Sequence, residues 1–395
     1  MEAAPPQPAR TRHVLSWAAY LGCSWTWCIG MFLPVLLVRD FGPASFFVFA
    51  VPNVLGAVLM GVLLSRPGAS EEFARRHRAA CWWFSFITLA FQAFFFAWMF
   101  RGCLPSSEKW VVAGLLPALL IRSHRHGWAA LMGVAVFAVS VGAALWWNST
   151  APAAPPPPAP LLPTTDLTWL ALVCVFGFGL CPYLDLTFHA ARQRAAGTPG
   201  SIAFIVGFGV VFLTMILLTL TYAAPLLARS ADAGLPVQPG LLAAPLLLHV
   251  GVQLTYTAML HRDCLATGRP RNGMGELATT AAVVCGVAPA VLAGRTSELT
   301  IDPETIYRVF MAFYALVFPA YVWICALRRG ATGPRGLGVY AGAVAVAAPM
   351  FWMASIERQT WWFGPGLLVV LLARFLFRPG SSPAARTAAV PPGPP

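Results

Sequence analysis

The chain has 395 residues, of which 58% are apolar, 13% aromatic and only 10% charged, and its formal net charge is +12. So small a polar fraction excludes a soluble globule of this length and points to an all-α, polytopic membrane protein. The positive charge is scattered through short loops, with no basic cluster interleaved with an aromatic platform. This argues against a nucleic-acid partner and for contact with the lipid bilayer and its anionic headgroups.

In chain order, residues 1–13 lack the basic start, short apolar run and small-residue cleavage site of a signal peptide. They are expected as a cytoplasmic tail, with the first apolar segment retained as a span. Windows of about 20 apolar residues, the length that crosses a hydrocarbon core, predict twelve spans. These lie near 14–38, 44–65, 80–100, 109–121, 128–147, 168–190, 200–225, 240–261, 274–294, 304–327, 337–355 and 361–377. The fourth is short enough to be re-entrant. With all twelve crossing and the N-terminus cytoplasmic, 19 of the 26 basic residues lie on the inner side. The later loops obey the positive-inside rule only if the fourth segment crosses, which places both termini inside.

A run with seven prolines between Ala151 and Thr165 predicts an extended external linker, residues 148–167. It separates a first five-helix unit, 14–147, from a second, 168–328; two more helices occupy 329–378 and a Pro/Ala-rich disordered cytoplasmic tail 379–395. An odd number of spans per unit makes the second unit enter from the opposite face, so a five-helix duplication is an inverted repeat.

Two apolar segments at corresponding places in the units are interrupted, Cys28 to Pro34 and Gly177 to Asp185. Glycine and proline there free backbone groups that lipid cannot satisfy, and such breaks in matched spans point to a transporter's binding site. The order five, five and two, with Gly22 to Gly30, Phe49 to Ala57 and Gly177 to Asp185 as the carrying stretches, resembles the LeuT-type fold of the amino acid, polyamine and cation transporter superfamily. The first two spans are most similar to sodium/solute symporters. The resemblance implies alternating access around a midplane site, with sodium held by first-span carbonyls and eighth-span hydroxyls. The eighth span here has no adjacent pair of hydroxyl residues, which leaves the coupling ion open between sodium and protons.

The substrate-binding candidates follow from the breaks: Trp25, Thr26, Trp27 and Gly30 around the first, and Gly177, Gly179, Tyr183 and Asp185 around the second. Trp25, Trp27 and Tyr183 have the chemistry of an aromatic cage for an ammonium group, and equally that of packing. Asp185 lies about 16 residues past Trp169, roughly 24 Å along a helix, so it is an intramembrane acid and a functional candidate; a capping role in a restarted helix is compatible with that. His189 at i+4 is placed to share a proton or hydrogen bond with it. In the eighth span His249, Gln253, Tyr256 and Thr257 share one face, either lining a pathway or bonding helices together, and Thr255 stands off that stripe. Asp185, His189, His249, Gln253, Thr255 and Thr257 are the candidates for ion or proton coupling.

No nucleophile elbow, Walker loop, paired carboxylates or His/Cys metal-ligand spacing occurs, so no enzyme, metal site or cofactor is expected beyond a coupling sodium ion or proton. The nine cysteines are scattered and read as small core residues. The expected function is a symporter for a small neutral, zwitterionic or cationic solute, because the breaks hold one acid and no base. The alternative is a non-transporting sensor or scaffold, or an intramembrane enzyme, on the same fold. Oligomeric state has no signal in the sequence.

Overall fold

The computed structural model describes residues 7–103, 126–150, 159–195, 197–230, 244–267, 274–292, 302–327 and 332–376. The fourth predicted span, the proline run at 151–158, residues 1–6 of the N-terminal tail and the 379–395 tail lie outside the described residues. The rest is helical, with no strand among the described residues. The helices are α1 (Gln7–Trp25), α2 (Cys28–Phe41), α3 (Ser45–Leu63), α4 (Ala69–Arg76), α5 (Arg78–Cys103), α6 (His126–Thr150), α7 (Leu167–Leu180), α8 (Leu186–Arg194), α9 (Gly197–Val206), α10 (Leu213–Ser230), α11 (Ala244–Thr267), α12 (Met274–Leu292), α13 (Pro303–Tyr321), α14 (Pro334–Ser355) and α15 (Phe363–Leu376). A wider π-type turn, Gly207–Phe212, joins α9 to α10 as one continuous rod.

Among the described residues eight helices are long and apolar enough to cross a membrane, and a bent pair, α1 with α2, makes a ninth span. The protein is therefore a multi-pass membrane protein. α11 has the length, at 24 residues, but carries His249, His261, Arg262 and Asp263; α15 has only 14 residues. Large apolar side chains face outward, including Phe47, Leu131, Leu145 and Leu277, each 60% exposed or more. In water such a surface would drive aggregation, whereas in a bilayer it is the lipid contact. The polar exception is α4, a short helix between the second and third spans whose Glu72 is paired with Arg75 and Arg76. Hydrogen bonds from these two arginines hold the Glu72 carboxyl below its usual range.

Buried polar side chains sit inside the bundle, where other helices supply partners to many of them, as Ser140 does to Gln253. α1 is covered by α6, α9, α11 and the Gly207–Phe212 turn; α3 packs on α7; α5 lies between α11 and α12. The α3–α7 contact is close because of a single glycine. A Cβ on Gly56 would stand 2.0 Å from the Phe178 carbonyl oxygen and 2.9 Å from Gly179 Cα. Only a residue without a side chain lets the two backbones meet, which is the small-residue packing typical of membrane helices.

Candidate functional site

Two interruptions organise the centre of the molecule. The first lies at Thr26 and Trp27, between α1 and α2, whose axes are bent by 56°. This corrects the sequence reading, which centred the break on Gly30 and Pro34: both residues lie inside α2. The chain turns where Thr26 folds back on α1, its amide donating to the Gly22 carbonyl at 3.1 Å and its hydroxyl to the same oxygen at 2.7 Å. Trp27 is extended, at φ −103 and ψ −167.

Pro34 stays helical because its lost hydrogen bond is replaced. Proline has no N–H for the carbonyl four residues back, here Gly30, and Thr219 on α10 donates its hydroxyl to that oxygen at 3.0 Å. Tyr222, one turn further along α10, donates to the Met31 carbonyl at 2.7 Å, and Tyr307 on α13 to the Cys28 carbonyl at 2.9 Å. Gly30 itself faces Phe212 and Ile216. It is a packing position of the α2–α10 contact.

The second interruption falls inside the predicted segment. α7 ends at Leu180, Cys181–Leu184 form a tight turn around Pro182, and α8 restarts at Leu186. Asp185 is its N-cap: at φ −78 and ψ 110 its Oδ1 accepts from the Thr187 amide and the Thr187 hydroxyl, both at 2.7 Å. The carboxyl is 0% exposed, and Oδ2 has no hydrogen-bond partner.

The two breaks meet. Thr187 Oγ1 lies 3.4 Å from Ser24 Oγ, and the Trp25 and Phe188 rings are 4.9 Å apart. On one side of this junction a cavity of about 110 Å³ runs between α2, α7 and α13. Its lining follows helical spacing: Ile29, Leu33, Leu36, Leu37 and Asp40 on α2, and Leu170, Val173, Cys174 and Gly177 on α7, continued by Cys181 in the turn that follows. The eleven helical steps from Ile29 to Asp40 give a length of about 16 Å. Trp25, Trp27 and Tyr314 form one end, with Tyr314 5.0 Å from Trp27. Asp40, Arg308 and Arg358 stand at the other.

That charged end is a network. Asp40, 1% exposed, accepts from Arg39 on its own helix and from Arg308 on α13; Glu304 binds Arg39, Arg308 and Arg358. It ties α2 to α13 across the mouth of the cavity. The end of the proline-rich linker lies over it, with the Leu161 and Leu162 amides donating to the Arg39 and Asp40 carbonyls, and Leu162 lines the cavity.

The predicted residues therefore divide. Trp25, Trp27 and Gly177 line the cavity. Thr26 closes α1, and Gly179 packs against Gly56. Tyr183 lies beside Phe73, centroids 5.9 Å apart, and not beside the two tryptophans; Tyr314 takes the place assigned to it in the aromatic group. Asp185 lies behind the junction and does not line the cavity. The expected Asp185–His189 bond is not formed. The His189 ring nitrogens meet Ser70 Oγ at 2.9 Å and the Tyr183 carbonyl at 3.0 Å, because the α8 turn swings the imidazole toward α4.

On α11 the stripe faces inward as its spacing predicts. Gln253 donates to Ser140 at 3.0 Å, Tyr256 to the Ala129 carbonyl at 2.8 Å, and Thr257 to the Gln253 carbonyl of its own helix. His249 is buried near Tyr222, with neither ring nitrogen bonded. Thr255 is half-buried. The stripe joins α11 to α6 and does not reach the cavity.

The sequence reading missed Tyr314, Asp40 and Glu304. A signal for the acids was present: Arg39-Asp40 closes one apolar segment and Glu304, with Arg308 four residues later, opens another. Charges of opposite sign at two span ends are a natural bridge, but their pairing needs the third dimension. Comparison with known proteins adds no relative: no protein-family model, no curated protein and no solved structure matches this chain.

Proposed function

We propose that this protein is a secondary active transporter that moves a small neutral, zwitterionic or cationic solute by alternating access, coupled to sodium or protons. One observation carries the reading: two interrupted helices from different halves of the chain meet at a buried junction, and a long, mostly apolar cavity ends on that junction. Breaks at a midplane with a cavity on one side are the geometry of a carrier open toward one face. A non-transporting scaffold gives no reason for exposing such breaks to a cavity.

The LeuT-like plan of twelve spans, with two inverted five-helix units and both termini cytoplasmic, belongs to the same proposal. Its support is a matched set of contacts. α1 packs on α6 as α7 packs on α13, and the α9–α10 rod packs on α1 as α3 packs on α7. In this arrangement the Asp40–Arg308 end faces outward, and α4 lies on the cytoplasmic side. The solute rests against Trp25, Trp27 and Tyr314, whose ring faces suit an apolar or cationic group, while at the mouth Arg39, Arg308 and Arg358 are all paired with Asp40 or Glu304.

The test is uptake by the purified chain in sealed vesicles, with a broad panel of amino acids, amines, sugars and nucleobases under imposed sodium or pH gradients. Gradient-dependent accumulation of one solute class is expected. Absence of both accumulation and binding across the panel would overturn the reading.

A further inference from the structure

Asp185 is a buried acid whose two carboxyl oxygens are satisfied unequally. Its Oδ1 accepts two hydrogen bonds from Thr187, and its Oδ2 accepts none, although the residue is 0% exposed. A bare carboxylate oxygen away from water is costly unless a cation or a proton occupies it.

Every element packed around Asp185 bears on that choice. Within electrostatic reach are Tyr20 on α1, Cys81 on α5, Cys264 on α11 and Tyr314 on α13, phenols and thiols without positive charge. α3 and α9 carry no titratable side chain. On its own helix His189 is turned to Ser70 and the Tyr183 carbonyl. Arg192 is committed to the Gly61 and Gly197 carbonyls and Ser201, and Arg194 binds the Ala190 carbonyl. Cys181 and Tyr183 lie in the preceding turn, Cys325 in the π-type turn after α13, and Glu71, Glu72, Arg75 and Arg76 on α4, with His77 just beyond it. Further along α11 stand His261, Arg262 and Asp263, and on α1 Cys23. None of the cations approaches Asp185 as an ion-pair partner.

A hard metal cation is held by a shell of oxygen ligands. Within electrostatic reach of this carboxyl stand thiols and phenols, and no group of three or more His, Cys, Asp or Glu side chains among the described residues is arranged for a metal. The occupant that fits is the smallest cation.

We propose that Asp185 is a proton-binding site, with its carboxyl protonated at Oδ2 in this conformation. Resting on the transport reading above, it follows that protons and not sodium drive the cycle. The site lies on the opposite side of the junction from the cavity, joined to it through Thr187 and Ser24. Loss of the proton leaves a buried charge on the N-cap of α8, which favours any rearrangement that opens Asp185 to water. Solute and proton are thereby linked through the two breaks without sharing a cavity.

Infrared spectroscopy of the purified full chain at neutral pH reads the proton directly. A protonated-carboxyl C=O band that shifts in D₂O is expected in the wild type and absent in Asp185→Asn. Thr187→Val keeps the acid but removes a bond to Oδ1, so it should move the band, a result that stands even if Asp185→Asn does not fold. A wild type without the band, or a band unchanged in both variants, overturns the proposal. In vesicles, an imposed pH gradient should drive uptake with sodium absent, and Asp185→Asn should lose more than 10-fold of accumulation while still exchanging solute. Sodium-driven uptake at clamped pH refutes proton coupling. The band with no movement of any solute upholds the proton site and sinks the transport reading, so the two failures are distinct.

Discussion

The replacement of a proline's missing hydrogen bond by Thr219 gives the sharpest test of how this bundle is held together. Pro34 leaves the Gly30 carbonyl without its helical donor, and Thr219 Oγ1 supplies one from α10 at 3.0 Å, in a place that is 0% exposed. Thr219→Val keeps the shape and removes the donor. Leaving a buried carbonyl unsatisfied costs about 1–3 kcal/mol, but interhelical hydrogen bonds in membrane proteins average only ~0.6 and reach ~1.7 kcal/mol. A cost near 1 kcal/mol is expected. In a Pro34→Ala background residue 34 regains an N–H able to bond Gly30 internally, so Thr219→Val should then cost close to nothing. Reversible unfolding in mixed micelles measures all four corners of this cycle. A coupling energy of about 1 kcal/mol supports the reasoning; an equal cost of Thr219→Val in both backgrounds refutes it.

Three further outcomes follow from the geometry. Gly56→Val puts a Cβ 2.0 Å from the Phe178 carbonyl, so α3 and α7 must separate; folded yield should collapse in size-exclusion profiles, whereas a neutral result would mean the contact is loose. In Gly177→Leu the added Cβ meets only the Ala315 backbone, at 3.8 Å, and the side chain projects into the cavity. It should leave thermal stability unchanged within about 0.5 kcal/mol, as expected of a substitution without a clash, yet abolish uptake; full uptake would remove this cavity from the path. His77, between α4 and α5, is buried against Phe73 and Tyr321, and that burial, aided by the Arg76 charge, holds its imidazole down to about 4. A depressed histidine favours the fold above the unfolded value near 6.5, and its contribution fades as pH falls toward 4. Melting temperatures from pH 7 to pH 5 should therefore decline less in His77→Asn than in the wild type, and parallel curves would exclude this residue as a source.

How much of this was legible beforehand differs from element to element. The spans were visible because crossing lipid demands long apolar runs with internal hydrogen bonding, so the windows at 44–65, 80–100, 128–147 and 337–355 coincide closely with α3, α5, α6 and α14. The second break was visible because Gly177, Pro182 and Asp185 all bear on local backbone energetics. The first was misplaced for an instructive reason. Proline marks a missing donor, and sequence alone gives no sign that Thr219, some 185 positions away, makes the loss harmless. The chain breaks instead at Thr26, where no proline stands and the hydroxyl competes for the Gly22 carbonyl. His189 was assigned to the wrong neighbour because helical spacing does not say that another element, here Ser70 on α4, meets the imidazole, and Tyr183 because the tight turn around Pro182 sets it beside Phe73.

By itself, the sequence determined the class of this protein: apolar length, periodicity and the helix-breaking residues are local properties, and a bilayer imposes them one segment at a time. Only the tertiary structure decided the site. That Trp25 meets Phe188, that Tyr314 rather than Tyr183 joins Trp27, that Arg308 reaches Asp40, and that Oδ2 of Asp185 is left bare all depend on helix faces brought together from distant parts of the chain. Helical spacing says which residues share a face, while the partner of that face is set by packing, through contacts such as Gly56 against Phe178 that admit one arrangement and exclude others.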